Sequence, residues 1–303
     1  MICDVMPEQK TVLDCIGNTP LIRLNVPGVP PSVCIYGKAE WFNPGGSVKD
    51  RAALRIIQEA ERKGLLTRDR VLLDASSGNT AIAYAMICAV KGYRCTIVIP
   101  RNVSAQKLNL LRAYGAELVL SDPLEGTDGA QKIARKMAED TMYYYADQYN
   151  NEENWKAHYF GTAKEIVSQL SRIDCFVAGV GTGGTFTGVA RYMREHRPEV
   201  RLYSVEPSTP LHGMEGLKHM ASSIRPGIYD ESLADEHIMV ETEQAQQMVL
   251  RMARAGILLG PSSGAVLVAA REIASGLDAG NIVTVLPDSG QRYLGEDFWR
   301  EML

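Results

Sequence analysis

Between residues 71 and 146 the chain alternates short apolar runs with longer helix-forming stretches, and this alternation leaves few folds open. VLLD at 71–74, CTIVI at 95–99, ELVLS at 117–121 and MYYYA at 142–146 have the length of strands. The segments between them, at 81–90, 105–114 and 130–140, are long enough for helices. Strand, helix and strand in succession make right-handed βαβ units on a parallel sheet, so the expected class is α/β. The second half repeats the style without repeating the sequence. It has a helix over 154–170, a strand at 175–180, a helix at 186–196, a βα unit ending at Glu206, helices at 243–255 and 264–274, and a last buried strand at 282–286. Residues 207–240, with Pro207, Pro210 and Pro226, read as an irregular loop system. Ahead of the alternation lie a lead-in segment at 11–24, a brief strand at 34–38 and a helix beginning at residue 48 and running through Arg62. A chain of 303 residues exceeds one ordinary small core, so two lobes or one large α/β domain are expected.

In open α/β sheets ligands bind at the carboxyl ends of the strands, and three loops rich in small residues fall there: 75–80, 181–185 and 287–290. Gly181, Thr182, Gly183, Gly184 and Thr185 open a helix, where free N–H groups and the helix dipole favour an anion and the glycines allow a phosphate to approach. Gly179, Gly181 and Gly184 also satisfy G-x-G-x-x-G, with Glu206 at the end of the next strand where a ribose-binding acid is expected, so NAD is a serious rival on the local pattern. Ser76, Ser77, Asn79 and Thr80 place hydroxyl and amide groups at another helix start. They suit either a bound carboxylate or a well-capped buried helix.

The candidate nucleophile is Lys49, within Asn43-Pro44-Gly45-Gly46-Ser47-Val48-Lys49-Asp50-Arg51. A lysine amine can form a Schiff base with an aldehyde and later move a proton; the bland alternative is a solvated lysine at a helix start. A P-loop is excluded, because Lys49 is followed by Asp50 rather than Ser or Thr. The net charge of −4 gives no reason to expect nucleic acid or an anionic membrane, and the most apolar run, 81–90, is too short to span a bilayer. MICDVMPEQK lacks the apolar core of a signal peptide, so a cytoplasmic protein is expected. Cys3, Cys15, Cys34, Cys88, Cys95 and Cys175 form no C-x-x-C pair and are expected to be buried free thiols. His158, His196, His212, His219 and His237 are not spaced for a metal, and none is expected.

Taken together, Ile16-Gly17-Asn18-Thr19-Pro20-Leu21, residues 43–51, Ser77-Gly78-Asn79-Thr80, residues 181–185, Ser262-Ser263-Gly264-Ala265 and Ser289-Gly290 resemble, in order, the motifs of the cysteine synthase and cystathionine β-synthase family of fold-type II pyridoxal-phosphate enzymes. The resemblance spans nearly the whole chain. It implies two doubly wound parallel-sheet domains of the tryptophan synthase β-like architecture. The larger would comprise 1–38 and 152–303, and the smaller, mobile one 39–151, with pyridoxal 5′-phosphate between them. It further implies that Lys49 holds the cofactor as a Schiff base, Asn79 bonds its 3-hydroxyl, residues 181–185 bind its phosphate and Ser289 faces its ring nitrogen. Ser76, Ser77, Asn79, Thr80 and Gln148 would bind the substrate carboxylate. The implied reaction is β-replacement through an aminoacrylate, making L-cysteine from O-acetylserine or O-phosphoserine and sulfide, in a homodimer. A cystathionine β-synthase using homocysteine and a non-catalytic member of the fold are the alternatives. Ser76, Ala81 and Ala163-Lys164 depart from the family's usual Thr, Gly and Gly-Pro. The segment from Gly213 to Met220 is similar to the B-type cysteine synthases. Lys218 within it would favour an anionic leaving group or thiosulfate if it projects into the site. The family's C-terminal regulatory module would have no room in a chain ending at Leu303.

Overall fold

The computed structural model describes residues 10–302, so Cys3 and nearly all of the N-terminal segment lie outside the described residues. The chain forms two sheets. The larger holds β1 (Leu21–Leu24), β2 (Val33–Ala39), β7 (Cys175–Gly179), β8 (Arg201–Pro207), β9 (Glu236–Val240) and β10 (Gly280–Leu286), in the order β1-β2-β10-β7-β8-β9. The smaller holds β3 (Val71–Ala75), β4 (Arg94–Pro100), β5 (Glu117–Ser121) and β6 (Tyr143–Tyr145), in the order β5-β4-β3-β6. Every pairing is parallel except β1 with β2, where Leu21 faces Lys38 and Leu24 faces Ile35.

Strands buried on both faces explain the near-continuous apolar runs, since alternation appears only where one face meets water. Every residue of β3 is buried, and helix Asn79–Lys91 is buried from Thr80 through Cys88. Helix Pro261–Ser275 plays the same part against the larger sheet.

Three local readings are corrected. The tract at 207–240 ends in β9, an edge strand with exposed Glu236, His237 and Met239, whose polar outer positions hide it from a search for apolar runs. The helix at 154–170 is three pieces: Glu153–Ala157, a π-helical turn His158–Ala163, and Lys164–Gln169. Helix Gly184–His196 crosses so close that a Cβ on Gly188 would lie 2.2 Å from the Trp155 carbonyl. Cys15 is exposed and Cys34 half-buried, whereas Cys88, Cys95 and Cys175 are the buried thiols expected.

The strand ends converge on one place. The carboxyl ends of β3, β7 and β10 deliver Ser76, Gly181 and Pro287 to a common cleft. The loop before Lys49 is stitched to the end of β10 by a Ser47–Asp288 bridge and by the Val48 N–H, which donates to the Pro287 carbonyl at 2.9 Å.

Candidate active site

Lys49 is the first residue of helix Lys49–Arg62 and lines both lobes of the cleft, about 560 and 520 Å³ with their open mouths included. Its side chain makes no hydrogen bond or ion pair with another described residue. Burial therefore pushes its amine down to about 8, with Asp288 pulling weakly the other way. The positive end of its own helix dipole also opposes an ammonium there. An amine that is partly neutral near neutral pH and faces open space suits covalent capture of an aldehyde.

The residues around it hold it firmly. The Gly45 N–H donates to Asp50 Oδ2 at 2.5 Å. Arg51 reaches from the same helix to Glu40, at 2.6 Å, and to Glu165, also at 2.6 Å. Asp50 and Arg51 thus anchor the helix start.

Asn79, Gly181 and Thr182 line both lobes of the cleft; Gly183 and Thr185 line the lobe beside Val48 and Ala178. Gly184 heads helix Gly184–His196 and carries the N–H that donates to Thr182 Oγ. The glycines of this loop have packing reasons of their own. A Cβ on Gly181 would lie 2.0 Å from the Gly216 carbonyl oxygen, and Gly183, at φ +85, would strike Tyr229. These contacts lay the loop over Gly213–Met220 directly on Gly181, and Glu206 is committed to accepting from the Met220 N–H at 2.8 Å. The dinucleotide reading is thereby corrected: Glu206 is engaged by the covering loop and Gly181 lies under it.

Ser76, Ser77, Gly78 and Thr80 form the opposite wall with Gln148. Ser76 Oγ accepts from the Gly78 and Ala81 N–H groups, and Thr80 Oγ donates to Gln148 Oε1 at 2.7 Å. Asp147, immediately before Gln148, sits at φ +45, a costly conformation for a residue with a side chain and one that recurs where geometry is fixed for function.

Two sequence-based expectations meet a different geometry. Ser289 is not part of either wall; its hydroxyl accepts from the Gln291 N–H, capping a short turn, and donates to the Leu258 carbonyl. Lys218 does line the cleft but is no free cation. Its ammonium pairs with Asp128 Oδ1 at 2.8 Å and lies over the Tyr149 ring. Four residues were not named from the sequence as site residues, although Asp288 and Glu215 lie within segments that were. Glu215 enters the wall and pairs with Lys107, while Asp288 and Arg292 grip Asn79. Their only sequence signal is charge close to motif residues. Among the described residues no group of His, Cys, Asp and Glu could hold a metal ion.

Pyridoxal phosphate fits this donor set: an unpartnered amine for its aldehyde, a helix N-terminus with glycines for its phosphate, and an amide lining the same cleft. The chain matches the family described as "Pyridoxal-phosphate dependent enzyme" over residues 12–288. It is 47% identical to a cysteine synthase of Aquifex aeolicus over 297 residues, covering 94% of this chain and 91% of that one. It is 40% identical to cysteine synthase B of Escherichia coli, covering 96% and 97%. Among solved structures, O-ureido-L-serine synthase superposes with a TM-score of 0.91 at 38% identity, covering 97% of this chain and 96% of that chain. With the matched family spanning most of its length and cysteine synthases among its relatives, the chain belongs to the pyridoxal-phosphate-dependent enzymes of the cysteine synthase group.

Proposed function

We propose that this protein makes L-cysteine by β-replacement, taking O-acetylserine or O-phosphoserine as amino-acid donor and sulfide, or thiosulfate, as sulfur donor. The observation that carries the reading is the meeting of Lys49, the 181–185 loop and the 76–80 loop around one cleft. Lys49 would hold pyridoxal phosphate covalently, Gly181 to Thr185 its phosphate, and Asn79 its ring oxygen. Ser289 remains the residue proposed for the ring nitrogen, reached by a change of its hydroxyl away from Leu258. When bound, the cofactor supplies an electron sink that stabilises negative charge at the Cα of the amino acid.

The chain's own residues do the rest. N–H groups and hydroxyls of Ser76, Ser77, Asn79 and Thr80, with Gln148, bind the α-carboxylate and fix the Cα–H bond relative to Lys49. Once displaced by substrate, the Lys49 amine takes the Cα proton as the β-substituent leaves, and returns it after the sulfur nucleophile has added. Its affinity for a proton near pH 8 matches both tasks. Lys218 and Glu215, each paired across the cleft, cover the mouth and keep water out.

The same proposal includes two lobes, 1–38 with 152–303 and 39–151, that close on substrate; each sheet belongs to one of them. It also includes a homodimer in the cytoplasm; no helix among the described residues is long and apolar enough to cross a membrane. Purified protein should be yellow, losing its visible absorption on borohydride reduction, and Lys49→Ala should be colourless. Turnover with O-acetylserine, O-phosphoserine, sulfide, thiosulfate and homocysteine then ranks the substrates. A colourless native protein, or one that forms no cysteine from any donor, overturns the reading, and sedimentation velocity tests the dimer.

A further inference from the structure

Asn79 is held at both ends of its amide by groups of fixed polarity. Arg292 Nη1 donates to Asn79 Oδ1, and a guanidinium can only donate. Asn79 Nδ2 donates to Asp288 Oδ2 at 2.6 Å, and that same oxygen accepts from Tyr293 OH at 2.6 Å. Asp288 is buried, and burial pushes its carboxyl above the usual range. Its Oδ1 has no partner and is the free place for a proton, so Oδ2 is an acceptor in either protonation state. A flipped amide would set NH2 against guanidinium and carbonyl against the accepting oxygen, leaving two partly buried clashes in place of two hydrogen bonds. One N–H of Asn79 is thus spent on Asp288, and the other is left for an acceptor in the cleft that Asn79 lines.

Arg292 also reaches the other side of the site. Its Nη2 donates to the Gly45 carbonyl, four residues before Lys49, and a Cβ on Gly46 would come within 2.7 Å of that nitrogen. Gly46, at φ +76, is the residue that lets the guanidinium in. One side chain therefore ties the Lys49 loop to Asn79.

We infer that Arg292 and Asp288 are positioning residues that lock Asn79 as a hydrogen-bond donor toward the ring oxygen of bound pyridoxal phosphate and fix it relative to Lys49. The inference rests on Asn79 being a cofactor contact. The test uses holoenzyme carrying Arg292→Met, Arg292→Lys or Asp288→Leu, with Arg292→Met and Asp288→Leu each also combined with Asn79→Ala. Two readouts serve: the visible circular-dichroism band of the bound cofactor, which reports how the ring is seated, and the rate of cofactor loss to hydroxylamine. Arg292→Met should weaken the band and speed the loss about tenfold, the size of one charge-assisted hydrogen bond. Arg292→Lys, which restores a donor, should recover most of both. In the Asn79→Ala background the added effect of Arg292→Met should shrink below about twofold, because the residue acts through Asn79. The clamp is refuted if Asn79→Ala alters the readouts and Arg292→Met remains as harmful beside it as alone. If Asn79→Ala alone changes neither readout, the cofactor contact itself is wrong. Arg292 is half-buried and carries the test should Asp288→Leu fail to fold.

Discussion

Lys107 Nζ meets both carboxylate oxygens of Glu215, at 2.5 and 2.6 Å, and so joins helix Ala105–Ala113 to the loop that lies on Gly181. A second pair, Lys218 with Asp128, crosses the same gap with the charges reversed. Each pair has one member on a helix that packs with the smaller sheet and one in the covering loop.

Breaking the first pair should loosen closure rather than chemistry. Lys107→Met is expected to raise KM for the amino-acid donor about fivefold with kcat nearly unchanged, since a partly exposed pair contributes about 1 kcal/mol. The native KM should also rise with ionic strength, and that rise should largely vanish in the variant. Steady-state kinetics at low and high salt give the answer, and an unchanged KM at both would remove the pair from the closing step.

Burial of Lys49 makes a stability prediction with a definite sign. The unfolded amine keeps its proton up to about 10.5, whereas the folded one releases it near 8. Between those values the unfolded state binds more protons, so stability rises with pH, and below about 8 the full cost of the buried ammonium persists. Lys49→Met should therefore stabilise cofactor-free protein at pH 7 by about 1–3 kcal/mol. The gain should fade toward pH 10.5. Urea unfolding of both proteins at the two pH values measures it; a gain that grew with pH would reverse the assignment.

Arg51 anchors the nucleophile's helix through charges that cannot be left alone. It bonds Glu40, which is fully buried, and Glu165, which also holds Lys38 at 2.7 Å. Arg51→Met should cost about 3–5 kcal/mol, most of it the penalty of leaving buried Glu40 without its cation, since Glu165 keeps Lys38. Burial alone would push Glu165 up, but Arg51 and Lys38 hold it down to about 2. A carboxylate depressed in the folded state contributes stability above about 4.5 that is lost as pH falls toward 2. Acid unfolding of the variant should accordingly begin at a higher pH than in the native protein, as circular dichroism against pH would report.

Lys49, Asn79 and the 181–185 loop were legible because strand, small-residue loop and helix start are contiguous in the chain. The charged partners were not. Asp288 lies 209 residues from Asn79, and Glu215 lies 108 residues from Lys107, so no local pattern signals either contact. β9 stayed hidden because an edge strand exposes alternate residues, and the π-helical turn because its residues continue a helical pattern on either side. Ser289 is recognisable by its motif, but its hydroxyl contacts, to the Leu258 carbonyl and the Gln291 N–H, depend on a segment 31 residues away and on the turn after it, which no local pattern announces.

Lys218 was expected to draw anionic donors, but its ion pair with Asp128 changes what should be tested. With Asp128 at 2.8 Å, its ammonium adds little net charge to the cleft. Lys218→Ala should alter the preference between O-acetylserine and O-phosphoserine by no more than about twofold to threefold. Asp128→Asn keeps an oxygen for the Ile224 N–H, which Asp128 accepts at 3.0 Å, while removing the countercharge. That variant should raise the ratio of kcat/KM for O-phosphoserine to that for O-acetylserine about tenfold, because a freed ammonium attracts only the phosphate-bearing donor whereas loosened closure affects both donors alike. Combining Lys218→Ala with Asp128→Asn should abolish the gain. Kinetics with both donors on the three variants decide the point: a gain that survived loss of Lys218 would place the phosphate on another cation, and no gain at all would mean that the pair does not govern donor choice.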